Sequence, residues 1–193
     1  MKVQGVVSLF DIGPDGVWRF LTEDRNQIQW TWGEIACLLF GDGNAKYKLN
    51  AMYIEFENVT SPGDPVTAPG YDADEGVEYY EALSASPARD FLRVPLLAAP
   101  QKGVVSGYEG KVNFNQLTFI AQSSGTAGVH GKAFSDGANS TVFGLALVAA
   151  PVWGDRTQDL VFGRRYYQTA KQVPKRASSQ VGVSWVEKFV QAG

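Results

Sequence analysis

One histidine, His130, and one cysteine, Cys37, are all that this chain of 193 residues offers of the two side chains most used for nucleophilic, general-base and soft-metal chemistry. A lone thiol forms no internal disulfide, so no disulfide framework holds the fold. Flanked by Ile35, Ala36, Leu38 and Leu39, Cys37 reads as a buried small hydrophobe. His130 has no second imidazole and no neighbouring thiol with which to share zinc. A Ser-His-Asp triad would have to use it, yet it stands among glycines and no serine sits in a G-x-S-x-G turn. It reads as an exposed loop histidine. The nearest approach to a phosphate loop, Thr126-Ala127-Gly128-Val129-His130-Gly131-Lys132-Ala133, needs a glycine where Thr126 stands and a magnesium-binding hydroxyl where Ala133 stands. No cofactor and no transition metal is expected.

Long apolar runs are missing as well. The longest, residues 144–153, is about half of the ~20 residues that a spanning helix requires. Met1-Lys2-Val3-Gln4-Gly5 opens without the basic and then apolar regions of a secretory signal, so synthesis in the cytoplasm and no membrane partner are expected. A strong excess of one charge is also absent. The net charge of −3 carries no basic footprint for a nucleic acid. The charges are nevertheless segregated along the chain. Glu55, Glu57, Asp64, Asp72, Asp74, Glu75, Glu78 and Glu81 make an acidic region, and Arg156, Arg164, Arg165, Lys171, Lys175 and Arg176 a basic one. They are either two solvated faces or complementary patches on neighbouring copies.

What the chain does contain is period-two alternation and aromatic side chains. Ala51-Met52-Tyr53-Ile54-Glu55-Phe56-Glu57 sets Met52, Ile54 and Phe56 on one face and Tyr53, Glu55 and Glu57 on the other, as in a half-buried strand. Val181, Val183 and Trp185 repeat the device, with Phe189 in phase. Residues 141–150 are almost continuously apolar, which suits a strand covered on both faces. Shorter strands are expected at 17–21, 91–94 and 160–167, and a longer one at 111–121, bulged near Asn115-Gln116 where the alternation slips. Pro14-Asp15-Gly16 is strong turn chemistry. Thr31-Trp32-Gly33-Glu34 matches a capping box, so a short helix is expected at about residues 32–40. Residues 61–70 are a breaker-rich loop, 76–83 a possible helical turn or two, and 123–139 a glycine-rich loop. At this length one domain is expected over residues 1–193, with 1–45 as an N-terminal segment of turn-rich strands and a short helix packed on it. The pattern predicts an all-β, jelly-roll-like antiparallel β-sandwich with long loops and one or two short helices.

Two kinds of binding or catalysis remain compatible with such a chain. Glu55, Glu57, Asp72 and Asp74 supply carboxylates of the kind that cleave sugars, and Asp72-Ala73-Asp74 begins like a calcium loop but breaks its pattern at Gly76 and Val77. The tryptophans Trp18, Trp30, Trp32, Trp153 and Trp185 are able to stack on sugar rings or to fill a core or an interface. Trp185 is in phase with core positions; Trp30 and Trp32 are the surface candidates.

Several segments resemble structural proteins from the virions of tailed, particularly short-tailed, bacteriophages. They are Asn50-Ala51-Met52-Tyr53-Ile54-Glu55-Phe56-Glu57-Asn58, Arg89-Asp90-Phe91-Leu92-Arg93-Val94-Pro95-Leu96, Gly144-Leu145-Ala146-Leu147-Val148-Ala149-Ala150-Pro151 and Ser179-Gln180-Val181-Gly182-Val183-Ser184-Trp185. The likeness is one of strand pattern and brings over no catalytic residue. It implies a non-enzymatic capsid decoration, collar or tail component, present in many copies in the virion and contacting itself and the major capsid, portal or tail proteins. The interface residues expected on this reading are Trp30, Trp32, Arg164, Arg165, Lys171, Lys175 and Arg176, with residues 168–179 as an arm toward a neighbour. The alternative is a carbohydrate-binding sandwich that recognises host surface glycan.

Overall fold

A computed structural model of the chain describes residues 2–25, 27–28, 31–37, 39, 45–57, 89–123, 129–130, 140–167, 173–176 and 178–191. These form two antiparallel sheets packed face to face. The strands are β1 (Lys2–Ile12), β2 (Trp18–Arg25), β3 (Gln27–Ile28), β4 (Leu49–Glu57), β5 (Arg89–Pro95), β6 (Gln101–Gly103), β7 (Gln116–Gln122), β8 (Val129–His130), β9 (Ser140–Ala149), β10 (Leu160–Tyr166), β11 (Val173–Lys175) and β12 (Gln180–Val190). The five-stranded sheet runs β2-β1-β12-β7-β6; the seven-stranded sheet runs β3-β10-β9-β4-β5-β8, with β11 also paired to β9. One helix, α1 (Thr31–Ala36), and 3-10 turns at Ala45–Tyr47 and Arg156–Gln158 complete the described elements. The chain is an all-β sandwich, as its alternation predicts. The two strand orders do not by themselves establish a jelly-roll winding.

The core between the sheets is built from the alternate residues of each strand. Met52, Ile54 and Phe56 of β4 meet Val183 and Trp185 of β12 and Val7 and Leu9 of β1 in one buried cluster. A period of two puts every second side chain inward, and burial of a Leu, Phe or Met contributes about 1.5–3 kcal/mol each. β9, central in its sheet, is buried along nearly its whole length, as its apolar run requires. Its second face belongs to a smaller cluster of Ala51, Tyr53, Phe91, Ala146, Val148, Ala150 and Val161 on the outside of the seven-stranded sheet. β4 is therefore not the half-buried strand that its alternation suggests: Tyr53 and Glu55 are as inaccessible as Met52 and Ile54.

Several local expectations are corrected. Residues 2–25 hold two strands integral to the five-stranded sheet, with β1 paired to β12 over eleven positions from Lys2↔Val190 to Ile12↔Gln180. The slip in alternation at Asn115-Gln116 is no bulge inside a strand. It marks the point where the chain enters β7, and residues 104–115 form turns. Asn115 fixes that entry: its N–H donates to Gly103 O (3.0 Å), its Oδ1 accepts from Val105 N (2.8 Å), and its carbonyl accepts from Phe189 N (2.8 Å). α1 spans Thr31–Ala36, and Cys37 and Leu39 beyond it are π-helical, with Ile35 buried and Cys37 exposed. Cys37 is thus not the buried hydrophobe its neighbours suggest, because Ile35 takes the inward position. His130 lies in β8, opposite Phe91, rather than in a loop. The expected loop at 61–70 and the helical turn at 76–83 fall outside the described residues.

Candidate functional site

Among the described residues, the outer face of the seven-stranded sheet holds four of the six buried charged side chains, Glu55, Arg93, Asp159 and Arg164. Arg93 and Asp159 form a forked ion pair, with Nε to Oδ2 at 2.7 Å and Nη2 to Oδ1 at 2.6 Å, and both side chains are wholly inaccessible. The remaining Arg93 donors go to the carbonyls of Trp153 (2.5 Å) and Val152 (3.3 Å), and the Trp153 ring covers the guanidinium at 4.2 Å. Tyr53 donates its hydroxyl to Asp159 Oδ2. Burial, and then the adjacent Asp159 carboxylate, push the Tyr53 phenol far above its ordinary range, so it remains a donor rather than a base. A second pair, Glu55 Oε1 with Arg164 Nε at 3.3 Å, lies on the same face, its carboxylate buried and its guanidinium nearly so. Forked geometry and carbonyl acceptors satisfy Arg93 and Asp159 internally, and burial keeps both pairs away from solvent. This is architecture, not an acid–base pair.

That arrangement corrects the expected basic interface. Arg164 is buried against Glu55, a member of the acidic region, and Arg165 pairs with Asp24 at the sandwich margin. The charges read as complementary between copies are, in these two cases, complementary within one chain. Lys175 is also buried, with its ammonium donating to Arg176 O (3.2 Å), and within the expected arm residues 173–175 pair with β9 as β11, while 168–172 and 177 lie outside the described residues. Arg176 remains exposed. Trp30 and Lys171 lie outside the described residues, as do Asp72 and Asp74; Trp32 lies in α1, its side chain undescribed, and that of Glu57 is likewise undescribed. Glu55, paired inside the protein, is no longer a candidate for cleaving sugars. Among the described residues no group of three or more His, Cys, Asp or Glu side chains is placed to hold a metal ion.

Exposed apolar side chains include Leu97, Val112, Phe114, Val152 and Trp153, and a further group lies on the β1–β2 hairpin. Phe10 of β1 faces Phe20 of β2 on one side and Gly182 of β12 on the other. The Phe10 ring lies 5.5 Å from Trp18 and 6.0 Å from Phe20, the latter edge-on. Phe20 is 61% exposed, and Val17 and Leu21 beside it are 50% and 41% exposed. Trp18 lies over Gly182, where an added Cβ would come within 2.5 Å of Cζ3. Only glycine admits the indole there.

The hairpin that carries these rings is stiff at its tip. Gly16 donates to Gly13 O (2.9 Å) around Pro14 and Asp15, and Gly16 takes a φ of +71°. Asp15 receives Val17 N (3.1 Å) and a forked pair from Arg19 at 3.1 and 2.5 Å. Those bonds, the Arg19 one foremost, hold the Asp15 carboxyl below its usual range. The turn chemistry was legible in Pro14-Asp15-Gly16; the exposed aromatic face was not, because alternation alone does not tell which side of an outer strand is left uncovered. Comparison with known proteins gives no match, whether to a family model, a curated protein or a solved structure.

Proposed function

We propose that this chain is a non-enzymatic structural component of a tailed-bacteriophage virion that assembles in multiple copies on the capsid, collar or tail. The observation that carries the reading is the cluster of the Phe10 and Trp18 rings with the exposed Phe20 ring, on a hairpin that also exposes Val17 and Leu21. Apolar and aromatic groups gathered on one rigid hairpin are the composition of an interface core, and contiguous exposed patches of this kind mark contact surfaces. The virion setting rests on the strand-pattern likeness of four segments, and the partners it implies are further copies of the chain and the capsid, portal or tail proteins. Contact therefore centres on the hairpin, with Arg176 as a peripheral charge, rather than on Arg164 and Arg165.

Phe20→Asp introduces a charge into the middle of that cluster without touching the inner core. It is expected to weaken self-association or particle docking by about tenfold or more, since a central aromatic anchor contributes about 2 kcal/mol. Its urea midpoint should stay close to wild type. Light scattering of the free protein, and binding to particles that lack it, read the effect. A wild-type chain that is strictly monomeric and ignores such particles would sink the proposal.

The Trp18 indole lying over Gly182 favours one alternative, a sandwich that stacks a sugar ring of host glycan on that face. A glycan array separates the two: retention of a sugar that is lost in Trp18→Ala, without self-association, selects the alternative.

A further inference from the structure

A cavity of about 750 Å³ opens between the two sheets at the end where the chain crosses from β5 to β6. The crossing, residues 96–100, is tied down by Leu97 N–H donating to Ile120 O (2.9 Å) and Leu96 N–H to Asn50 O (3.1 Å). The walls are apolar: Ile35 near the end of α1, Leu49, Leu96, Phe119 of β7 and Phe162 of β10. A volume between about 300 and 1,000 Å³ is that of a small-molecule site, and such sites pair apolar walls with a few placed polar groups. Here the polar groups are asymmetric. Lys48 and Lys102, both exposed, belong to the lining, and neither is ion-paired among the described residues. Lys102 instead rests its ammonium 5.3 Å from the Phe114 ring. The third charge, Glu187, is fully buried in the wall, where its Oε1 accepts from Trp185 Nε1 at 2.5 Å.

We propose that this cavity binds a single-chain anionic amphiphile of the fatty-acid type, with its alkyl chain between the sheets and its carboxylate at Lys48 and Lys102. An alkyl chain gains by leaving water for the Leu49, Phe119 and Phe162 walls. Charge sets the direction. A carboxylate entering head first would meet the buried Glu187 carboxylate in a poorly screened setting, whereas at the mouth it meets two ammonium groups on flexible stems. A cationic amphiphile meets the opposite field at the mouth, and a neutral one gains nothing from the lysines. The site is independent of the hairpin surface, so its fate and that of the assembly reading are separate.

Titration calorimetry of the full chain with lauric acid, lauryl alcohol and laurylamine, each below its micellar concentration, tests the assignment. Lauric acid should bind at one per chain, at least about tenfold tighter than the alcohol and the amine. The Lys48→Ala, Lys102→Ala double variant should lose that preference while retaining alcohol binding, which also shows that the cavity survives. Ala98→Trp, at an exposed residue of the lining, should block all three ligands without lowering the unfolding midpoint. No binding of lauric acid, equal binding of acid and amine, or an undiminished preference in the lysine variant overturns the proposal.

Discussion

Arg93→Ala should cost about 3–5 kcal/mol, the loss that follows when one member of a buried ion pair is removed and the other stays uncompensated. Asp159 would keep its place beneath the Tyr53 hydroxyl without the forked Arg93 guanidinium that meets both of its oxygens. The Trp153 and Val152 carbonyls would lose their donor, and the Trp153 ring its cation. Much of that cost comes from the orphaned charge rather than from the value of the pair. The double variant Arg93→Met, Asp159→Leu should therefore be far closer to wild type than Arg93→Ala. Urea unfolding of the three proteins checks this. If the double variant loses as much as the single one, the pair is a net source of stability and the orphaned charge is not what makes Arg93→Ala costly.

Gly144→Ala should be the second costly change, although it adds one methyl group to a strand with no unusual backbone. The new Cβ would lie 2.8 Å from both Cδ and Oε2 of Glu55, closer than real atoms approach. Glu55 sits directly opposite Gly144 in the β4–β9 ladder and is itself buried against Arg164. Overpacking of a filled interior costs about 1–3 kcal/mol, and displacement of the carboxylate from Arg164 adds to that figure. Glu55→Ala in the Gly144→Ala background should give little further loss, because the clash and the pair disappear together. Strict additivity of the two changes, measured in the same denaturant series, would show that they are not coupled.

The inner core was readable because its physics is local. Met52, Ile54 and Phe56 announce their strand by period two, and the run at β9 announces burial on both sides by having almost no polar member. β1 was harder to see. Val7 and Leu9 face inward, but Val6 and Phe10 beside them are apolar as well, and Gly5 dilutes what alternation remains. The buried pairs were not readable at all. Glu55 and Arg164 are 109 positions apart, and Arg93 and Asp159 are 66. Nothing in either neighbourhood distinguishes a carboxylate that will be covered from one that will be solvated. Only the register of β4, β9 and β10 brings Glu55 and Arg164 to one face, and register is a property of the assembled sheet. The same holds for the cavity, whose two lysines come from distant segments of the chain.

The position of β12 has a consequence for the order in which the molecule can be made. It lies between β1 and β7 and is the strand that joins them, so the five-stranded sheet exists as two fragments until residues 180–190 arrive. During synthesis β1 and β2 can close early as a hairpin, but Val7 and Leu9 then wait, uncovered, for the partners Trp185 and Val183 near the other end of the chain. Pairings this distant in sequence are slow to form, and a nascent chain with an open strand edge is exposed to the wrong neighbour for as long as the wait lasts. A ribosome stalled just before Gln180 should hold a chain that proteases cut readily, and release of residues 180–190 should convert it to a resistant one in a single step.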